Sequence, residues 1–197
     1  KRSLLNHYTE LASEGTQLIL SNLERAAELV HSFKQVAVDQ TQSELRFFDV
    51  RHYLEEVMLS LSPQLRQTSH AWFITGDESI MIQSYPGLLA QILTNLVTNS
   101  LLHGYGPGEA GKLSLHLGLE AGQLLLLYRD DGQGIPLVDQ PRIFEPFFTT
   151  ARDRGGTGLG LSILYNLVVQ NLKGEITLQS QPGEGVQFKI LLPLEQG

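Results

Sequence analysis

The chain has 197 residues, 42% hydrophobic and 18% charged, a size and balance that suit one globular domain with an appendage. A net charge of −7 argues against a nucleic-acid backbone as the main partner, and the lack of cysteine excludes disulfides, thiolate metal sites and a cysteine nucleophile. No apolar run approaches the ~18 residues of a membrane span, and no secretion signal is visible; this stretch is expected in the cytoplasm, with any membrane anchor in segments outside it.

Residues 1–40 read as one long helix. Leu5, Tyr8, Ala12, Gly15, Ile19, Leu23, Ala26, Val30, Phe33 and Ala37 alternate steps of three and four, a heptad seam. Gly15 weakens it by about 1 kcal/mol relative to alanine. One apolar stripe cannot bury itself, so a partner helix is expected, from an upstream segment or a second subunit. Residues 39–48 lose the heptad and read as a connector. Asp49 can cap a helix that runs to about Ser62 and ends at Pro63. Short strands are predicted at 71–75 and 80–84, with a turn at Gly76-Asp77 between them. Pro86-Gly87 opens a further helix.

That helix includes residues 91–103, Gln-Ile-Leu-Thr-Asn-Leu-Val-Thr-Asn-Ser-Leu-Leu-His. Ile92, Leu93, Leu96 and Val97 keep helical spacing for a core. Asn95 and Asn99 are four apart and share one face. A carboxamide oxygen can ligate a hard cation without adding charge, and its NH2 can donate to phosphate. Taken alone, the pair also describes two polar residues on the surface of a core helix. Beyond a flexible loop at 105–111, strands are predicted at 112–119 and 123–129, the second nearly all apolar and therefore central.

Asp130-Asp131-Gly132-Gln133-Gly134-Ile135-Pro136 follows that strand directly. An acid at a strand end can supply one polar contact in an apolar pocket and accept from an exocyclic amine. Gly132 and Gly134 would let backbone approach a flat ligand; the same residues also describe a glycine-rich turn. A long loop follows. It holds the aromatic run Ile143-Phe144-Glu145-Pro146-Phe147-Phe148, suited to anchor a lid, dock a domain or pack the loop. Gly155-Gly156-Thr157-Gly158-Leu159-Gly160-Leu161 then enters a helix predicted over 159–172. Backbone N–H groups at such a start can cradle an anion, or the run is a plain hinge. Arg152 and Arg154 precede it. A hairpin of 174–180 and 185–192 closes the chain. Paired strands alternating with helices predict an α+β fold, a two-layer α/β sandwich with a mixed, mostly antiparallel sheet. No P-loop pattern is present.

Together and in this order, the four pieces resemble the boxes of the GHKL ATP-binding superfamily, and within it the sensor histidine kinases. Residues 91–103 look like the N box, 130–136 the G1 box, 143–150 the F box and 155–163 the G2 box. The resemblance covers about 45–195. Residues 21–40 look like the second helix of the dimerisation and histidine-phosphotransfer domain. The implied domains are thus 1–40, that helix, and 41–197, the ATP-binding catalytic domain of Bergerat fold. The resemblance implies ATP and Mg2+ as cofactors. Asn99, with Asn95, would hold the metal; Asp130 would bind the adenine amine; Gly132 and Gly134 would shape its pocket. Gly156, Thr157, Gly158, Leu159 and Gly160 would form the phosphate end of a lid, and His103 would lie beside the nucleotide. It further implies a homodimer through the helical hairpin, a response-regulator receiver domain as partner, and γ-phosphoryl transfer to a histidine.

Two departures stand out. Members often carry a lysine near the phosphates where this chain has Leu102. None of the six histidines fits the phosphoacceptor pattern: His7 precedes Tyr-Thr-Glu-Leu-Ala and His31 precedes Ser-Phe-Lys-Gln-Val, so the acceptor is expected in a segment upstream. Other implied readings are a docking module that keeps the pocket without kinase activity, a GHKL serine kinase, or a GHKL ATPase. Asparagine at 95 disfavours the last, because it cannot abstract a proton from water.

Overall fold

The computed structural model describes residues 15–17, 19–20, 44–66, 70–152 and 155–196. The chain divides into two compact units, Lys1–Gln42 and Ser43–Gly197. In the first, the short stretches 15–17 and 19–20 are helical; the rest of the heptad, with His7 and His31, lies outside the described residues, as does Arg154.

The second unit runs β1 (Arg46–Asp49), α1 (Val50–Arg66), β2 (Ala71–Gly76), β3 (Met81–Ser84), α2 (Pro86–Asn99), β4 (Lys112–Glu120), β5 (Gln123–Asp130), α3 (Gly160–Tyr165), β6 (Glu175–Ser180) and β7 (Val186–Pro193). Five strands form a mixed sheet in the order β2-β4-β5-β7-β6, in which only β2 and β4 are parallel. The strand read as central from its apolar run, β5, lies between β4 and β7. Period-two alternation buries Leu124, Leu126, Tyr128 and Asp130 on one face of β5. Leu113, Leu115 and Leu117 of β4 and Phe188, Ile190 and Leu192 of β7 share that core. Buried leucines and isoleucines of α1 and α2, with Leu164 of α3, meet them there, which gives the two-layer α+β sandwich that the element order implies.

Some boundaries differ from the sequence reading. The connector contains β1, whose Phe48 pairs with Ile82 of β3 in a separate two-stranded sheet. Four residues with adjacent phenylalanines are too short to show alternation. Helix α1 continues past Pro63 to Arg66. Proline removes one N–H bond to the carbonyl four residues back. That carbonyl belongs to Leu59, on the exposed side of the helix, where water can satisfy it. Leu61 and Leu65, both buried, hold the following turn to the core. The helix predicted over 159–172 is α3 followed by a wider, π-helical turn at Asn166–Asn171. Helix α2 likewise loosens into a π-helical turn at Ser100–Gly104. No helix among the described residues is long and apolar enough to cross a membrane.

Asp49 caps α1, its Oδ1 accepting from the His52 N–H at 3.0 Å while Ser79 donates to Oδ2. Burial pushes this carboxyl up, but the Ser79 and His52 hydrogen bonds outweigh it and hold the group below its ordinary range. Asp49→Ala is expected to lower unfolding stability by about 1 kcal/mol in urea titrations at pH 7. A depressed native carboxyl stabilises fully above its unfolded titration and loses that contribution as pH falls through the native value. The gap between wild type and variant should therefore narrow on acidification.

Candidate functional site

The end of β5 delivers Asp130 into the layer between sheet and helices, where it is 7% exposed. Its Oδ2 accepts from Ser100 Oγ at 2.6 Å, and Tyr128 OH donates to the same Ser100 oxygen at 2.8 Å. Oδ1 accepts from the N–H groups of Gly132 and Val186, each at 3.1 Å. Burial pushes the Asp130 carboxyl up; the hydrogen bonds from Ser100, Gly132 and Val186 oppose this without cancelling it. Two donors occupy Oδ1 and one occupies Oδ2. A carboxylate oxygen takes about two, so Oδ2 keeps one acceptor position. Asp130 can therefore accept from one further N–H donor.

The neighbouring Asp131 has a different task. Its Oδ1 accepts from Tyr105 OH at 2.9 Å and from the Lys112 N–H at 2.7 Å, tying the loop after α2 to the start of β4. Burial, then the hydrogen bond to Asp131, pushes the Tyr105 phenol far up, so it stays a donor. Gly132 approaches the chain itself closely: a Cβ there would lie 2.4 Å from the Gly104 carbonyl oxygen. At Gly134 a Cβ would lie 2.0 Å from the Gln181 oxygen.

Helix α2 carries the second part. Among the described residues, buried side-chain polar atoms without a hydrogen-bond partner occur on four side chains, and three of these are on α2: Gln91 Oε1, Asn95 Nδ2 and Asn99 Nδ2. An unpaired buried amide costs about 1–3 kcal/mol, so three on one face of one helix point to a polar ligand. Amide nitrogens fit phosphate oxygens, and the amide oxygens beside them fit a hard cation. No cluster of three or more His, Asp or Glu side chains that could hold a metal occurs among the described residues. Two amide oxygens are few protein ligands, a set that would fit Mg2+, which keeps several of its waters. Leu102 is half-buried in the π-helical turn.

The long loop faces this helix. A Cβ on Gly160 would stand 3.1 Å from Asn99 Nδ2 and 3.2 Å from Oδ1, so the start of α3 lies against the Asn99 amide. His103 Nδ1 is 3.2 Å from Thr150 Oγ1, which joins the end of the α2 segment to the loop. The glycine run folds back on the aromatic run: the Phe147 N–H donates to the Gly158 carbonyl at 2.8 Å, and the Gly156 N–H to Ala151 at 2.9 Å. Phe147 has φ 70° and Gly158 φ 71°, and a Cβ on Gly158 would lie 2.4 Å from the Phe147 carbonyl carbon. Thr157 Oγ1 accepts from the Leu159 N–H at 3.3 Å, and Leu159 is buried. Arg152 donates to the Phe147 carbonyl at 3.3 Å. Of the aromatics, Phe144 and Phe148 pack on the core while Phe147 is 49% exposed.

The structure therefore brings Asn95, Asn99, His103, Asp130 and Gly156–Gly160 around one region. Sequence reasoning passed over Ser100, Tyr128 and Gln91. A polar residue at a helical position that ought to be buried was the available signal for Ser100. Four-residue spacing before Asn95 was the signal for Gln91.

A family model described as "Histidine kinase-, DNA gyrase B-, and HSP90-like ATPase" matches residues 85–196. The chain is 30% identical over 168 residues to the sensor histidine kinase RcsC of Escherichia coli K12, covering 82% of this chain and 17% of RcsC. Among solved structures, the catalytic domain of histidine kinase ThkA superposes with a TM-score of 0.66 at 25% identity, covering 77% of this chain and 97% of that domain. Full-length ShkA in complex with AMPPNP superposes with a TM-score of 0.65 at 27% identity, covering 78% of this chain and 32% of ShkA. The chain spans less than a fifth of the length of RcsC.

Ser100→Ala removes the hydroxyl that links Tyr128 to Asp130. It is expected to cost about 1–3 kcal/mol in denaturant unfolding, the cost of stranding buried polar groups. Tyr128→Phe in the Ser100→Ala background should recover part of that loss, because it removes the phenol that the first substitution strands.

Proposed function

The chain belongs to the histidine kinase-, DNA gyrase B- and HSP90-like ATPase family, and from that premise we propose that it is the ATP-binding catalytic part of a sensor histidine kinase, passing the γ-phosphoryl group to a histidine outside it. The observation that carries this reading is the pairing of two kinds of unmet polar capacity. Asp130 retains one acceptor position at one end of the site. Beyond Ser100, the nitrogens of Asn99 and Asn95 are buried donors without acceptors. Adenine presents an amino donor and a triphosphate presents acceptor oxygens, so ATP matches both ends.

Each group then has a task. Asp130 accepts from the adenine amine and disfavours guanine, which offers a carbonyl oxygen at that position. Asn99 and Asn95 donate to phosphate oxygens and orient them. Mg2+, when bound, neutralises charge on the phosphates. The loop of Phe147 to Gly160 closes over the same helix and excludes water, which favours transfer over hydrolysis. Asparagine at 95 supports the same choice, since an amide cannot deprotonate water. Catalysis of this type is positioning and charge neutralisation more than covalent chemistry. In the whole protein, the acceptor histidine sits on a helical hairpin that forms a homodimer, and a response-regulator receiver domain takes the phosphoryl group onward, in the cytoplasm.

Calorimetry with Mg·ATP tests the site. Asn99→Ala is expected to abolish binding, and undiminished affinity would sink the assignment. Asp130→Asn keeps an oxygen for Gly132 and Val186 but points a donor where an acceptor is needed. It should fold and lose about 10–100-fold in ATP affinity, the equivalent of a hydrogen bond to a charged group. Transfer of labelled γ-phosphate onto a supplied phosphoacceptor hairpin separates a kinase from a docking module.

A further inference from the structure

Asn95 and Asn99 are two of the three unpartnered amides on α2; the third is Gln91, four residues before Asn95. Contacts at the other end fix the order along the helix. Ser100 donates to Asp130, so a base held by Asp130 lies beside residues 100–104. Asn99, Asn95 and Gln91 then follow in steps of four residues, each about 6 Å along the axis and turned by about 40°. The ladder runs from the base, past the phosphates, to the terminal-phosphate end.

The polarity of the rungs changes along it. The unpartnered atoms are nitrogens on Asn99 and Asn95 and an oxygen on Gln91. A carbonyl oxygen repels phosphate oxygens, so Gln91 Oε1 needs a partner that bears hydrogen. At the terminal phosphate of a magnesium nucleotide that partner is a water on the cation, because Mg2+ holds several waters and gives them up reluctantly. We propose that Gln91 is a positioning residue that accepts a hydrogen bond from a cation-bound water at the terminal-phosphate end of the site, an inference that rests on the ATP reading above. It fixes the hydrated cation against the γ-phosphate and has no counterpart to meet when the nucleotide ends at the β-phosphate.

The test compares nucleotides by calorimetry on the whole chain. Gln91→Leu should weaken Mg·ATP by about tenfold, the equivalent of one hydrogen bond, and leave Mg·ADP within about twofold. Gln91→Glu keeps an acceptor and should retain Mg·ATP binding. The ligand-free melting temperature of Gln91→Leu should not fall, since Oε1 has no protein partner to lose. Equal losses for both nucleotides, a lower ligand-free melting temperature, unchanged Mg·ATP affinity in Gln91→Leu, or a Glu variant as weak as the Leu variant would each overturn the proposal. Failure of the ATP reading is distinguishable, because the wild-type chain would then bind neither nucleotide.

Discussion

The structure depends on keeping one carboxylate out of water. An ionised group in a nearly dry layer is tolerable only when its hydrogen-bond capacity is met. Asp130 meets its own with donors from three parts of the chain: Ser100 after α2, Gly132 in the loop after β5, and Val186 on β7. Each contact locks the position of an element. Ser100 reaches the acid because the helix loosens into a π-helical turn, the kind of local widening common at functional sites. Tyr128, on the same strand as the acid, orients the serine hydroxyl. Burial still wins over these contacts and keeps the carboxyl above its ordinary range. A group held at that balance is responsive: one further N–H donor improves its situation, whereas an acceptor worsens it.

The second end of the site is built on the opposite plan. Asp130 is almost saturated; the amides of α2 are starved. Gln91, Asn95 and Asn99 lie on a helix whose other side holds Leu89, Ile92, Leu93, Leu96 and Val97 in the core. Those leucines and isoleucines fix the helix, and the helix fixes the amides, so their disposition does not depend on a ligand being present. A site assembled in advance loses less conformational freedom on binding than one that forms around its ligand. The glycine at 160 belongs to this plan as well, because a larger residue would press on the Asn99 amide.

Much of this was legible in the sequence, and the legible parts share a cause. The apolar run of β5, the acid directly after it, the amide pair four residues apart and the glycine-rich entry to α3 are all statements about one segment, written in residue type and spacing. What was not legible depends on two segments meeting. Ser100 reads as one more small residue until β5 places Asp130 beside it. Gly132 and Gly134 suggest room for a ligand, yet their close neighbours within the chain are Gly104 and Gln181. Pro63 reads as a stop, and the buried residues Leu61 and Leu65 carry the helix through it. β1 is too short to show a period and exists because β3 pairs with it.

The contrast between the two ends has an energetic consequence. A protein that keeps three buried amide atoms without partners accepts a cost of about 1–3 kcal/mol for each in the free state. Such a cost persists only where the surrounding fold is strong enough to impose it, here a five-stranded sheet and the core it backs. The loop is tied to this frame by His103 to Thr150 and by Phe144 and Phe148 on the core, and to itself by Phe147 to Gly158 and Arg152 to Phe147. On the ATP reading proposed above, the nitrogens of Asn95 and Asn99 gain their missing partners from a polyphosphate. On that reading, binding energy is stored in the protein before the ligand appears, as unmet hydrogen bonds on a helix fixed by the core, and is released where the phosphates are held.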